Sequence, residues 1–159
     1  MSRDWDNLLV LDACRYDIFE QVNHLEGNLD SVISKGSHSE EFYKRNFEGE
    51  LYDDTIMISA NPYTPIVAAN SFFHLKTTFE RSKTAENKPR VSKVETDEGS
   101  LIEATHTENV HPERLNELGR EAMEKYPNKR LIVHYMQPHD PYFGSTAEDI
   151  RESFNEEGI

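Results

Sequence analysis

Leu131-Ile132-Val133-His134-Tyr135-Met136 is a run of branched and apolar residues that stops at Gln137-Pro138. Bounded by polar and turn residues, such a run reads as a buried strand. Asn7-Leu8-Leu9-Val10-Leu11-Asp12 and Thr55-Ile56-Met57-Ile58-Ser59-Ala60 share its character. A weaker fourth, Leu29-Asp30-Ser31-Val32-Ile33-Ser34, alternates with period two. Continuous apolar runs suit a parallel sheet covered on both faces. Helical patterns lie between them. From Pro112 to Tyr126, Leu115, Leu118, Ala122 and Tyr126 recur at three- and four-residue steps, making one apolar stripe beside charged residues. Ser39 to Phe47 and Tyr16 to Val22 are two further helix candidates. Strands alternating with helices predict an α/β fold: a layered, mostly parallel sheet with helices on both faces. Arg81 to Ser100 is polar, without apolar periodicity, and reads as a long exposed loop.

The chain has 159 residues, a length that suits one domain over 1–159. With 17 Lys+Arg against 30 Asp+Glu, the formal charge is −13, which argues against a nucleic-acid groove, since such a groove needs clustered cations. No apolar run approaches the roughly 20 residues of a membrane span, and Met1–Asp6 has no secretory layout, so a cytoplasmic protein with no membrane partner is expected. The single cysteine, Cys14, excludes an intrachain disulfide and reads as a small buried thiol.

In open α/β sheets ligands bind beyond the carboxyl ends of the strands, so strand-ending residues come first. Asp12 follows four apolar residues, where a carboxylate is costly unless it caps the next turn or meets a cation. In Lys35-Gly36-Ser37-His38-Ser39-Glu40-Glu41, Ser37 and Glu40 have capping-box spacing, which makes Ser37 the expected N-cap. Ser39 then falls in the first helical turn, where backbone N–H groups favour an anion and a hydroxyl could attack phosphorus or sulfur. His139 stands between Pro138 and Pro141, which stiffen its loop, whereas His134 lies inside a strand and reads as a hydrogen-bonded core histidine. His74, in Ser71-Phe72-Phe73-His74-Leu75, sits among aromatics and reads as packed.

Taken together, Val10-Leu11-Asp12-Ala13-Cys14-Arg15-Tyr16-Asp17, the Gly-Ser-x-Ser turn, Ser59-Ala60-Asn61-Pro62 and His134-Tyr135-Met136-Gln137-Pro138-His139-Asp140-Pro141-Tyr142 resemble the alkaline phosphatase/sulfatase superfamily, and most of all the sulfatase-like proteins of archaea. The resemblance spans nearly the whole chain. It implies an alkaline phosphatase-like fold and a metal-dependent hydrolase or transferase of phosphate or sulfate esters. Asp12 corresponds to a metal ligand, and Ser39 to the nucleophile and a second ligand, with Ser37 as its competitor. His139 corresponds to the histidine that contacts the transferred group, and Ser37 and His74 are further candidate substrate contacts. The implied cofactor is a divalent metal (Ca, Mg, Mn or Zn), and the implied partner a small anionic ester, such as one carried on a glycan.

The departures carry expectations too. Sulfatases proper use Cys-x-Pro-x-Arg where this chain has Ser39-Glu40-Glu41-Phe42-Tyr43, so formylglycine chemistry is excluded there. Glu40 and Glu41 would repel a dianion unless turned to solvent. Family members draw further metal ligands from a later strand ending in Asp-His, a dipeptide absent here. The expectation is a weak metal site in a fold incomplete at its C-terminus. The competing reading is a truncated, inactive relative that binds an anion or partner, or self-associates through an exposed sheet edge.

Overall fold

In the computed structural model the described residues are 4–80, 103–106, 111–139 and 142–156. They form an α/β layer built on a sheet of six strands: β1 (Asn7–Leu11), β2 (Tyr52–Ser59), β3 (Phe72–Thr77), β4 (Phe79–Glu80), β5 (Glu103–His106) and β6 (Arg130–Tyr135), in the order β1-β6-β2-β3-β5-β4. Every neighbouring pair is parallel except the short β4–β5 pair at one edge. The three apolar runs become β1, β2 and β6, packed side by side. β6 lies between the others, with Val10 and Ser59 both paired to His134. A strand with a neighbour on each side and a layer on each face has no use for alternation, and Leu131 through His134 are all buried.

Helices α1 (Tyr16–Val22), α2 (Ser39–Phe47), α3 (Thr64–Val67), α4 (Pro112–Lys125) and α5 (Ser145–Glu156) complete the order. On one face α4 buries Leu115, Leu118 and Ala122 against Ile56, Ile58, Leu131 and Val133. On the other, Tyr43 and Phe47 of α2 pack with Met57, Phe72, Leu75 and Ile132. Successive strand residues therefore serve opposite layers, as a pleated strand requires.

Several expectations need correction. Leu29–Ser34 is not a strand: 23–38 contains no regular element, it pairs with none of the strands among the described residues, and Ile33 is 97% exposed. The segment around His74 is instead a strand, β3, in which Phe72 and Leu75 supply buried side chains. Cys14 is half-buried rather than buried. Arg81–Ser100 lies outside the described residues. Among the described residues, no helix is long and apolar enough to cross a membrane.

Candidate functional site

β1, β6 and β2 run parallel, so their carboxyl ends open at one end of the sheet. Asp12 follows β1 directly, and its backbone is held from both sides: its N–H donates to the Tyr135 carbonyl at 3.1 Å and its carbonyl accepts from the His139 N–H at 3.1 Å. Ala13 then takes a φ of +58°, a left-handed conformation that a residue with a Cβ adopts at a cost of roughly 1–2 kcal/mol and that marks a sharply enforced turn.

Three side chains converge on the Asp12 carboxylate. Ser39, the first residue of α2, donates its hydroxyl to Oδ2 at 3.1 Å. Asn61, just past β2, donates its amide to the same oxygen at 2.7 Å, while its own carbonyl oxygen accepts from the Tyr63 N–H at 2.9 Å. His134 presents Nε2 at 3.5 Å, longer than a hydrogen bond. Burial pushes the Asp12 carboxyl upward, but the His134 imidazole, Asn61 and Ser39 more than offset it and hold the group below the usual carboxylate range.

Behind His134 lies a buried polar chain. Its Nδ1 is hydrogen-bonded to the Tyr43 hydroxyl, and the two rings stack with centroids 5.5 Å apart. Tyr43 accepts from Thr64 Oγ1 at 2.6 Å and lies 3.2 Å from Ser59 Oγ. Ser59 in turn accepts from the Asn61 N–H at 3.0 Å. Burial raises the Tyr43 phenol far above its ordinary range, so it stays protonated.

The predicted candidates fare differently. Asp12 and Ser39, 27 positions apart in the chain, are in direct contact. His139 is exposed on the turn after β6, tied to Asp12 through its backbone N–H. Ser37 is not the N-cap. His38 takes that place, accepting from the Glu41 N–H at 3.5 Å, while Ser37 gives both its N–H and its hydroxyl to Glu41 Oε2, at 2.7 and 2.9 Å. The reason is a one-residue shift: Glu41 reaches back to Ser37 while Glu40 pairs with Lys44 at 2.6 Å. Glu41 also pairs with Arg45 at 2.5 Å, so both acids have partners on α2. His74 is not at this site: it tilts against Tyr126 with ring centroids 6.0 Å apart, opposite Ile56 in the middle of β2.

Asn61 and Tyr43 were missed as site residues. The signal for Asn61 is present in the sequence, since it lies just past a strand on the sheet's ligand-binding side, but no spacing rule marks a neutral amide as a partner of Asp12. Tyr43 gave no signal, because an aromatic on a helix face reads as core.

The donor set falls short of the metal expectation. Asp12 and Ser39 offer two oxygens, but Asn61 turns its NH₂ rather than its carbonyl toward them. Among the described residues no three His, Cys, Asp or Glu side chains are grouped to hold a metal ion. A hard cation wants about six oxygens, so these residues alone do not form a metal site.

Fold and site together define an α/β protein with a Ser–Asp pair at the carboxyl ends of a parallel sheet. No protein-family model, no curated protein and no solved structure matches the chain.

Proposed function

We propose that the protein is a hydrolase or transferase of small phosphate or sulfate esters that uses Ser39 as its nucleophile, in an alkaline phosphatase-like fold. The observation that carries this reading is the hydrogen bond from Ser39 Oγ to Asp12 Oδ2 at 3.1 Å, placed at the start of a helix and the end of three parallel strands. The first turn of α2 offers the positive end of the helix dipole to an anionic group. Ser39 Oγ attacks phosphorus or sulfur, its proton passes to Asp12, and the bond to the leaving ester oxygen breaks. His139, on the adjoining loop, meets the departing oxygen or the anion. Water then cleaves the Ser39 ester and regenerates the hydroxyl. The resemblance also implies a divalent cation, Ca, Mg, Mn or Zn; Asp12 and Ser39 alone do not hold one, so the proposed chemistry rests on the side chains of this chain.

The test is release of nitrophenol from nitrophenyl phosphate and sulfate, with each of those cations and without any. Turnover that Ser39→Ala and Asp12→Ala abolish is expected; turnover unchanged in both variants overturns the assignment.

A second reading has its own observation. β1 is an edge strand whose Leu9 is 61% exposed, with Ile18 and Val22 of α1 exposed as well. An edge without Pro or Lys is open to pairing, and two copies can meet through the same strand about a two-fold axis. On this reading the chain is an anion-binding module that self-associates without turnover. Light scattering that finds a monomer at every concentration removes it.

A further inference from the structure

His134 is 2% exposed, and its Nε2 is buried without a hydrogen-bond partner. An unpaired ring nitrogen in such a place is destabilising unless something nearby compensates it. The facing group is the Asp12 carboxylate, at 3.5 Å. Which of the two ring nitrogens carries the proton follows from the groups behind it. The Tyr43 hydroxyl has one proton to give and two takers, His134 Nδ1 and Ser59 Oγ. Ser59 is the more distant, already accepts the Asn61 N–H, and can itself donate to Thr64 Oγ1 at 2.6 Å. Thr64 donates to Tyr43, so Tyr43's acceptor side is occupied and its proton is directed to Nδ1. A neutral imidazole that accepts at Nδ1 carries its proton at Nε2. The opposite tautomer would point a lone pair at a carboxylate.

We propose that Tyr43 and His134 are positioning residues: Tyr43 donates to His134 Nδ1 and fixes the Nε2–H tautomer, whose proton faces Asp12 Oδ2 and holds that carboxylate where it accepts from Ser39. This rests on the reading of Ser39 and Asp12 given above. The role follows a general pattern in which the hydrogen bond on one side of an imidazole decides what the other side can do. A histidine kept only for packing would have no need of a buried nitrogen aimed at the nucleophile's partner.

The experiment has two arms with separate readouts. In the first, nitrogen-15 NMR of histidine-labelled protein at neutral pH reads the His134 ring. A pyridine-type Nδ1 and a pyrrole-type Nε2 are expected; two pyrrole-type nitrogens, or the reverse tautomer, overturn the proposal. Tyr43→Phe should release the ring to a mixture of tautomers, and an unchanged spectrum in that variant overturns it equally. In the second arm, nitrophenyl ester turnover compares His134→Phe with His134→Gln, whose amide N–H approximates Nε2–H. His134→Phe should lower kcat by about 10–100-fold with KM little changed, and His134→Gln should recover most of the loss. Equal loss in both variants, each shown to be folded by its NMR spectrum, overturns the positioning role. If the unaltered protein turns nothing over, the enzyme reading fails while the ring spectrum still decides the tautomer.

Discussion

The carboxylate of Asp12 is under opposing influences, burial raising its proton affinity and His134, Asn61 and Ser39 together lowering it further. In the unfolded chain those partners are gone and the group returns to about 3.9. The folded state thus binds this proton less readily than the unfolded one. The resulting stabilisation is complete above the unfolded value and disappears as pH falls through the lower folded value. Acid titration of Asp12→Asn should therefore show a shallower loss of stability below about pH 4 than the unaltered protein. Superimposable acid profiles would contradict the depressed carboxyl. Gly36 offers a second residue-scale case, because a Cβ there would lie 2.3 Å from the Phe42 nitrogen and 2.6 Å from its Cα. Backbone of α2 would have to move, taking Ser39 with it. Gly36→Ala should cost about 1–3 kcal/mol in urea unfolding and reduce any Ser39-dependent turnover.

At the scale of elements, α4 and α1 make a contrast. Both have apolar residues at helical spacing, but α4 buries Leu115, Leu118, Gly119 and Ala122, whereas α1 buries nothing. Leu118→Ala should therefore destabilise by about 2–5 kcal/mol, read as a lower urea midpoint at unchanged slope. Ile18→Ala on α1 should stay within about 0.5 kcal/mol. A large effect at Ile18 would mean that α1 is covered in solution. α2 does two tasks at once: its inner face fills the core with Tyr43 and Phe47, and its first residue supplies the hydroxyl. Its outer face is laced by Glu40–Lys44 and Glu41–Arg45 pairs, which water screens and which add little to stability.

Over the whole molecule, a charge of −13 sets the terms of association. Two copies meeting at β1 would repel at low ionic strength, and salt screens that repulsion over about 10 Å at 0.1 M. If the edge pairs, the dimer fraction in light scattering should rise with sodium chloride, and Leu9→Lys should remove it at every salt concentration. A dimer that weakens with added salt would point to ion pairs instead of the apolar edge.

Chain order and local pattern alone determined much of this protein. The central strands showed in their unbroken apolar runs, α4 in its stripe, and α2 in its bounds, because those signals depend on neighbours a few positions away. The Asp12 candidate followed from the rule that ligands gather beyond parallel strand ends, and Ser39 from its place in the first turn of a helix and from the family resemblance. Only the tertiary structure decided that Ser37 would be claimed by Glu41, that His74 would face Tyr126, and that Leu29–Ser34 would find no strand to pair with. The same holds for the line from Thr64 through Tyr43 and His134 to Asp12. Its members come from different elements, and each looks like ordinary packing until folding removes water and leaves one another as their hydrogen-bonding partners.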